Sequence, residues 1–544
     1  MPIYNAPIQD MKFILNDVFN AADFWQKNEQ LAHVDSDTVN MILEEMSKFA
    51  KNTLLPINRS GDEEGAQYLG EGKVKTPTGF KAAFDEYAQG GWIGLGGDPN
   101  HGGQGMPKMV TMLAEEMVFT ANQSFALYPN LSGGACMCIY NAGSEEQKQT
   151  YLEKIYSGEW TGTMCLTEPH AGTDLGIIKT KAVPNQDGSY NITGTKIFIT
   201  AGEHDLADNI IHLVLAKTPD APAGSKGISL FIVPKFHVNA DGSLGERNAA
   251  SCGSIEHKMG IKASATCVMN FDGAKGFMVG AENTGLASMF IMMNYERLTM
   301  GLQGIGGAEL AYQNATAYTL DRIQGRADSG IQEPNKAADP IVFHADVRRM
   351  LLNAKTISEA SRCFAMYVAK ELDTNKYTDD AEARKAADDR VALLTPVAKA
   401  FLTDRGLEAS IDAQQCFGGH GYIREWGMEQ IVRDTRISQI YEGTNGIQSL
   451  DLLGRKVVKN GGAFVTTYVQ EMRDFANNMN ADHAIKQAIL TSADKLEDLT
   501  KAVVAAAAVN KDEINGCAVD YLQAFGYVSF AYMFGLMVEA ANGK

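Results

Sequence analysis

The sequence is poor in the residues that build metal and disulfide sites. It has only 8 cysteines in 544 residues. Cys136 and Cys138 form the only close pair, and no second pair stands at zinc-finger spacing. The 10 histidines contain no His-Glu-x-x-His motif. We therefore expect buried thiols in a reducing compartment and no metal site.

Positive charge is also scarce. Lysine and arginine number 48 against 66 aspartates and glutamates, which gives a net charge of −18. Binding the phosphate backbone of a nucleic acid requires a basic surface, so this balance argues against nucleic acid as the main partner. A small phosphate-bearing ligand needs only a few local lysines or arginines and stays compatible with the composition.

Long hydrophobic runs and an export signal are missing as well. The longest apolar runs, near 502–509 and 528–538, are shorter than the ~20 residues that span a bilayer. The first residues lack a basic region followed by an apolar core. These absences predict a cytoplasmic protein with no membrane span.

What is present indicates an α+β multidomain chain. Helical periodicity covers most of 36–89 and 107–158, with a break predicted at the small residues 132–135. Short strand patterns separated by turn residues fill 160–279, which predicts an antiparallel barrel or sandwich. Helical patterns return after 285. The predicted domains are an N-terminal arm (1–35), an N-terminal α-helical domain (36–159), a central antiparallel β-domain (160–280), a C-terminal helical bundle (281–455) and a helical C-terminal extension (456–544).

The glycine-rich stretch 90–105 is similar in composition to a dinucleotide-binding fingerprint. That fingerprint needs a strand before it and a helix after it, and the pattern before residue 90 is helical. We interpret the stretch as a loop between helices.

The stretch 437–448 (ISQIYEGTNGIQ) carries the strongest catalytic signal. Glu442 lies between apolar residues, Gly443 follows it, and a helix that Thr444 or Asn445 can cap begins directly after. Apolar surroundings raise the pKa of a carboxyl group, glycine admits a close ligand, and a helix N-terminus favours phosphate. The stretch predicts a general base beside a phosphate-bearing cofactor, and a plain surface cap is the alternative.

Four motifs in order give the chain, over about 36–455, a strong resemblance to the acyl-CoA dehydrogenase family of flavoproteins. They are MCLTEPHAGTD at 164–174, KIFITAG at 196–202, QCFGGHG at 415–421 and IYEGT at 440–444. The N-terminal stretch 4–13 and the helical tail resemble an enlarged branch of that family, which includes enzymes acting on 3-methylmercaptopropionyl-CoA.

The resemblance implies FAD-dependent dehydrogenation of an acyl-CoA thioester to the trans-2-enoyl-CoA. Glu442 would abstract the α-proton, its backbone N–H would help hold the thioester oxygen, and flavin N5 would accept the β-hydride. The family further implies an electron-transfer flavoprotein as acceptor. The branch favours 3-methylmercaptopropionyl-CoA or a related short acyl-CoA, and a straight-chain fatty acyl-CoA is the close alternative.

The resemblance also assigns residues to the cofactor. The flavin cradle would be formed by Met164, Leu166, Thr167, Gly172 and Thr173 on one side, with Phe198 and Thr200 on the other. The adenine half would be held from a neighbouring subunit, which implies a homo-oligomer, dimer or tetramer. Its contacts would be Arg322, Gln415, Gly419 and Thr444. The chain departs from the family here, because Arg322 is followed by Ile-Gln-Gly and an insertion at 327–341, and Gly446 replaces a common glutamine.

For the substrate, the implied contacts are Thr173, Asn294, Tyr295, Arg297 and Gly443. Arg455 belongs to a basic pair in an acidic chain, and we expect this pair to contact a CoA phosphate. The pair is explained equally well as the basic residues that commonly stabilise the C-terminal end of a helix. Rival functions are an acyl-CoA oxidase or nitroalkane oxidase, which share the carboxylate base, and a DNA-associated relative that retains FAD. The net charge of −18 counts against the last.

Overall fold

A computed structural model describes residues 2–480 and 483–542. It divides into two compact units. The first comprises Met1–Lys51, Pro107–Ala121 and Arg297–Lys544, and the second comprises Asn52–Met106 and Asn122–Glu296. The sequence predicted five consecutive segments, whereas each of these two units combines separate stretches of the chain. The predicted domain boundaries therefore remain predictions.

The helices are α1 Ile8–Lys12, α2 Ala21–Gln26, α3 Ser36–Phe49, α4 Leu55–Glu64, α5 Phe80–Gln89, α6 Lys108–Ala121, α7 Gln123–Ala142, α8 Glu145–Tyr156, α9 Gly285–Asp321, α10 Ala345–Tyr377, α11 Ala381–Cys416, α12 Met428–Arg436, α13 Asn445–Leu450, α14 Ala463–Asn478, α15 His483–Val509 and α16 Asp512–Asn542. The strands are β1 Gln67–Gly70, β2 Lys73–Lys75, β3 Trp160–Cys165, β4 Lys181–Pro184, β5 Tyr190–Thr200, β6 Asn209–Ala216, β7 Ser229–Pro234, β8 Phe236–Val238, β9 Leu244–Arg247, β10 Ala250–Ile255 and β11 Thr266–Val279.

A seven-stranded sheet dominates the second unit. Its order is β3-β6-β7-β11-β5-β4, with β10 also paired to β11. All pairs are antiparallel except β3 with β6, which is parallel. The predicted α+β fold class, with a central β-domain between helical regions, is confirmed.

Strand β6 shows why this region of the sequence is almost continuously apolar. Side chains alternate between the two faces of a strand. Ile211 and Leu213 accordingly pack in a core cluster with α7 and α8, while Val214 and Ala216 pack in a second cluster with β5 and β11. All of β6 is buried. A strand covered on both faces has no position that favours a solvated side chain.

Helix α7 runs without interruption through the small residues 132–135, so the predicted break there is wrong. Ser132 Oγ accepts a hydrogen bond from the backbone N–H of Gly162 in β3 at 3.1 Å. A Cβ on Gly162 would lie 2.3 Å from the Cβ of Ala135. The small side chains therefore allow helix and strand to pack closely, instead of ending the helix.

The helical prediction for 36–89 is wrong at 67–75, where β1 and β2 form an antiparallel hairpin. Gly65 ends α4 at φ +68°, and Gly70 and Gly72 turn the hairpin at φ +84° and +70°. Glycine adopts these left-handed conformations without steric cost. The interpretation of 90–105 as a loop is confirmed, because α5 precedes it and α6 follows it.

A buried ionic cluster joins three helices of the first unit. Arg362 of α10 donates to Glu116 of α6 from Nε at 2.8 Å and from Nη2 at 2.6 Å. The same Nη2 donates to Glu309 of α9 at 3.0 Å. All three side chains are buried. Burial of a charge is costly unless it is paired, so the two carboxylates keep this arginine compatible with a helical core.

The C-terminal extension packs into the first unit through α16. A Cβ on Gly526 would lie 2.3 Å from the ring of Phe401 in α11, and Arg405 of α11 donates to the hydroxyl of Tyr527 at 2.6 Å. By length and composition alone, α16 could cross a membrane. Its buried face, which includes Leu522 and Phe525, packs as the face of a core helix does.

Candidate active site

Glu442 occupies a sharp turn in the first unit. It follows a 3-10 turn at Ile437–Gln439 and precedes α13, whose N-cap is Thr444. The hydroxyl of Thr444 accepts a hydrogen bond from the N–H of Ile447 at 3.3 Å. Glu442 has φ +54° and Gly443 has φ +80°. A left-handed non-glycine residue costs about 1–3 kcal/mol, and such strain concentrates at functional sites.

The turn is held by Gln448, whose side chain is fully buried. Its Nε2 donates to the carbonyl oxygen of Glu442 at 3.2 Å and to that of Gly443 at 3.3 Å. A Cβ on Gly443 would lie 2.6 Å from this nitrogen. Glycine is therefore required at position 443 both for its backbone conformation and for the approach of Gln448.

The carboxyl group of Glu442 has a perturbed pKa. Burial raises this pKa, and the opposing positive charge of Lys399 lowers it. In the part of the chain that the structure describes, no group donates a hydrogen bond to this carboxylate, and the N–H of Glu442 has no acceptor. Both groups can therefore meet a ligand without first breaking an internal bond.

In the second unit, the segment after β3 is tied to β5. Lys196 donates from Nζ to the carbonyl of Leu166 at 3.0 Å and to Glu168 at 2.9 Å. The N–H of Ile197 donates to the carbonyl of Thr167 at 2.9 Å. Lys196 and Glu168 are buried, whereas the side chains of Leu166 and Thr167 are half-buried. The ion pair thus positions the two predicted flavin contacts beside β5.

Phe198 is the most unusual residue of this surface. Its side chain is 59% exposed and its backbone has φ +58°. Thr200 lies on the same strand, half-buried, and its carbonyl accepts from the hydroxyl of Thr163 at 2.5 Å. A strained and exposed aromatic ring beside half-buried threonines fits a flat aromatic ligand that completes the surface. The residues present therefore fit a flavin ring.

The other predicted cradle residues differ in exposure. Gly172 and Thr173 are exposed, and a Cβ on Gly172 would contact only Thr167, at 3.9 Å. The side chain of Met164, in contrast, packs into the core cluster with α7 and α8. A flavin contact of Met164 would therefore have to use its backbone.

The predicted adenine contacts lie around the ends of α9 and α11. Arg322, Gln415 and Gly419 are exposed, and a Cβ on Gly419 would meet open space. Beside them, Tyr318 stacks on Phe417 at a centroid distance of 4.1 Å. The roles of these residues stay predictions, as does that of Thr444, which the structure places at the N-cap of α13.

The predicted substrate arginines share one carboxylate. Arg297 is buried and donates from Nη1 to Oδ2 of Asp451 at 2.8 Å. Arg455 donates from Nη1 to Oδ1 of Asp451 at 3.4 Å, and its side chain is 71% exposed. The guanidinium of Arg297 is thus committed to an ion pair, and that of Arg455 remains accessible. Asn294 and Tyr295 are half-buried.

Sequence reasoning missed Gln448, Asp451 and Lys399. Gln448 lies on α13 and Asp451 begins the π-helix Asp451–Val457 that follows it, and nothing in their own pattern distinguishes them from ordinary helical polar residues. Lys399 did leave a signal, because it is a single charge in the apolar stretch TPVAKAFL of α11 at 395–402. A lone lysine in an apolar stretch of a helix indicates a buried charge with a specific partner.

Family models cover nearly the whole chain beyond the arm. The acyl-CoA dehydrogenase N-terminal domain matches residues 36–159, the middle domain 163–274 and the C-terminal domain 283–457. A model described as acetyl-CoA dehydrogenase C-terminal like matches 468–544.

Named relatives are similar over comparable lengths. The chain is 40% identical to the 3-methylmercaptopropionyl-CoA dehydrogenase of Ruegeria pomeroyi, over 99% of this chain and 92% of the relative. It is 37% identical to a butyryl-CoA dehydrogenase of Syntrophomonas wolfei, over 87% of this chain and 78% of the relative.

Among solved structures, the butyryl-CoA dehydrogenase of Megasphaera elsdenii superposes with a TM-score of 0.63 at 26% identity, covering 78% of this chain and 98% of that chain. Caenorhabditis elegans ACDH-11 in complex with C11-CoA superposes with a TM-score of 0.80 at 18% identity, covering 99% of this chain and 88% of that chain.

Proposed function

The chain belongs to the acyl-CoA dehydrogenase family, and from that premise we propose that Glu442 is the base of an FAD-dependent α,β-dehydrogenation of an acyl-CoA thioester. The observation that carries the assignment is the strained turn at Glu442. Its carboxylate and its backbone N–H both lack partners among the described residues, and Gln448 holds the turn in place. A base and an oxyanion donor in one residue are what proton removal next to a thioester requires.

In the proposed reaction, the carboxylate of Glu442 takes the α-proton of the acyl chain. The N–H of Glu442 donates to the thioester oxygen, which stabilises the negative charge that develops there. Bound FAD supplies the chemistry that accepts the β-hydrogen as hydride, so that the two electrons leave and the trans double bond forms. The burial that raises the pKa of Glu442 brings its proton affinity closer to that of the polarised α-carbon.

We assign the flavin ring to the surface of the second unit that Phe198 exposes. Leu166, Thr167 and Thr200 border this surface, and the buried pair of Lys196 and Glu168 keeps it in shape. The two exposed residues after them, Gly172 and Thr173, would lie along the cofactor or the pantetheine arm. Strands suit this task because they present alternate side chains and a rigid backbone to a flat ring.

The substrate we propose is 3-methylmercaptopropionyl-CoA or a related short acyl-CoA. The proposal is supported by the relative of that name, whose similarity extends over almost the full length of both chains. A short straight-chain acyl-CoA is the second candidate, which the 37% identical butyryl-CoA dehydrogenase favours.

For the electrons and the assembly, we propose an electron-transfer flavoprotein as acceptor and a cytoplasmic homo-oligomer. Support for an oligomer comes from an apolar surface beside Gly419. Tyr422 is 85% exposed there and Ile423 is 46% exposed. Water-exposed apolar groups of this size next to predicted adenine contacts are typical of a subunit interface.

The test is a panel of acyl-CoA thioesters mixed anaerobically with the purified protein, with bleaching of the flavin absorbance as readout. Glu442→Gln should keep bound FAD and bind substrate, yet fail to bleach. The control, Glu382→Gln at an exposed position of α11, should bleach as the wild type does. Normal bleaching by Glu442→Gln would refute the assignment of the base, and rapid reoxidation by air with product bound would indicate an oxidase instead.

A further inference from the structure

Lys399 is a fully buried lysine of α11 close to the turn that carries Glu442. Its Nζ donates to Oδ1 of Asn445 at 2.8 Å. Asn445 follows Glu442 by three residues and begins α13. An ammonium group that is removed from water is costly unless something compensates its charge, so its position next to this turn requires an explanation.

The amide of Asn445 is oriented by bonds of its own. Its Nδ2 donates to Asp404 at 2.7 Å, to the hydroxyl of Thr403 at 3.0 Å and to the carbonyl of Ala400 at 3.1 Å. With the nitrogen facing three acceptors of α11, the oxygen faces Lys399. The lysine is therefore held by an amide that cannot turn over without losing several hydrogen bonds.

The C-terminal extension takes part in the same network. Gln523 of α16 donates from Nε2 to Oδ2 of Asp404 at 2.6 Å. Gln439, which precedes the base, donates to Oδ1 of the same carboxylate at 2.7 Å. Asp404 thus connects the extension, the segment before Glu442 and the amide that holds Lys399.

The charged groups around Lys399 belong to three elements. Burial lowers the pKa of Lys399 to about 7, the carboxylates of Glu442 and Asp404 raise it, and Arg297 of α9 lowers it. The charge of Arg297 is offset by Asp451. Glu442 is therefore the carboxylate through which Lys399 can act on the chemistry, since Asp404 is already bound by Asn445, Gln439 and Gln523.

We propose that Lys399 is a positioning residue for the base: Asn445 holds its ammonium beside the Glu442 turn, where its charge favours the ionised carboxylate. This inference depends on the proposed function of Glu442. No hydrogen bond joins Lys399 to Glu442 among the described residues. The lysine thus acts through space, and the carboxylate keeps its oxygen atoms for the α-proton.

This arrangement resolves a conflict between two requirements of the reaction. A desolvated carboxylate with no countercharge would keep its proton to a higher pH and would act as a base over a narrower pH range, whereas a direct ion pair would occupy its oxygen atoms. A countercharge that is anchored on Asn445 avoids both outcomes. The resulting prediction is that the charge of Lys399, and not its size, sets the pH range in which the enzyme reduces its flavin.

The experiment measures the anaerobic rate of flavin reduction by a saturating acyl-CoA between pH 5.5 and 9. Lys399→Met and Lys399→Gln remove the charge, and the second can still donate to Asn445. Lys399→Arg keeps the charge. Lys385→Met is the control, because it removes an exposed lysine from the same helix. Bound FAD and the thermal unfolding midpoint are recorded for each variant.

Both neutral variants should move the midpoint of the acid limb upward by about one pH unit, which makes reduction roughly tenfold slower at pH 6 and leaves it unchanged at pH 9. Lys399→Arg, which stays charged at every pH tested, should keep the midpoint of the acid limb at or below the wild-type value, and Lys385→Met should not alter it. The shift is confined to low pH because the lysine itself loses its proton near pH 7 in the wild type.

An unchanged midpoint in both neutral variants, or an equal loss of rate at every pH, would overturn the proposal. Failure of both to fold or to bind FAD would overturn it too, because it would assign Lys399 to packing alone. The two proposals fail separately. If Glu442→Gln does not bleach while the Lys399 variants keep the wild-type midpoint, only the role of Lys399 is lost.

Discussion

The side chain of Gln448 donates to the backbone carbonyl of Glu442 at 3.2 Å, and this contact joins the proposed base to the helix that follows it. The same nitrogen reaches the carbonyl of Gly443. Glu442 and Gly443 have left-handed backbone conformations and form a turn that is strained at Glu442. Such strain persists only where neighbouring groups stabilise the conformation. Gln448 provides that hold from a fully buried position, so it keeps the base in one orientation before substrate arrives.

We expect Gln448→Leu to slow flavin reduction by about tenfold or more, with FAD still bound. The variant leaves two carbonyl groups without their donor, and a lost buried hydrogen bond costs about 1–3 kcal/mol. When about 1.4 kcal/mol of this cost falls on the orientation of the turn that the reaction needs, the rate decreases by a factor of ten. Stopped-flow absorbance measures the rate. Ser449→Ala, which changes the adjacent buried residue, is the control, and equal rates in the two variants would contradict the prediction.

Phe198→Gly should separate stability from cofactor binding. Glycine relieves the left-handed backbone, which costs about 1 kcal/mol, and the exposed ring contributes little to the core. The apoprotein should therefore unfold at the same or a higher temperature. FAD should bind roughly two- to twelvefold more weakly, because an aromatic stacking contact of about 0.5–1.5 kcal/mol is lost.

Flavin fluorescence titration of the apoprotein checks the affinity, and a thermal melt checks the stability. Phe198→Trp keeps an aromatic platform and should retain FAD. If Phe198→Gly binds FAD as tightly as the wild type, the flavin ring does not lie on the surface that Phe198 exposes.

Arg455→Ala should raise KM for acyl-CoA by several-fold more than it lowers kcat. The guanidinium is mostly exposed and lies far from the reacting bond if it contacts a CoA phosphate, so it contributes uniform binding. Steady-state kinetics with an artificial electron acceptor gives both constants. Lys459→Ala, at an exposed position outside the basic pair, is the matched control. Unchanged KM in Arg455→Ala would leave this arginine with only its bond to Asp451.

Asp373→Asn should change how stability depends on pH. Asp373 is buried and accepts hydrogen bonds from the N–H groups of Lys108 and Met109 at the start of α6, at 2.7 Å and 2.9 Å. Burial raises its pKa to about 6, from 3.8. The folded state therefore binds the proton more tightly, and the stability from this group is present at low pH and is lost as pH rises through about 6.

Between pH 4.5 and 7, the wild type should lose roughly 2 kcal/mol of unfolding free energy relative to Asp373→Asn, whose side chain stays neutral. Thermal melts at the two pH values measure the difference. Asp388→Asn, at an exposed position, should show no such trend. A constant gap between wild type and Asp373→Asn would show that Asp373 does not titrate in this range.

The local signals of the sequence identified the fold class and predicted the residues of the candidate site. Short strand patterns separated by turn residues predicted the region that contains β6, and a carboxylate followed by glycine and a cap predicted the turn at Glu442. These features can be read locally because strand burial and helix capping depend on neighbours within a few residues. The small residues 132–135 misled the analysis at α7, because Ser132 and Ala135 pack closely against Gly162 of β3 and the helix does not end there.

By itself, then, the sequence predicted an α+β architecture and a glutamate between apolar residues at a helix start, and its four motifs carried the resemblance to a family of flavoproteins. Only the tertiary structure decided which groups hold that glutamate. Lys399 and Asn445 are 46 residues apart in the chain, and Asp404 and Gln523 are 119 apart. Hydrogen bonds and charge act over a few ångströms of space, and no periodicity in the sequence records which distant residues folding will bring within that range.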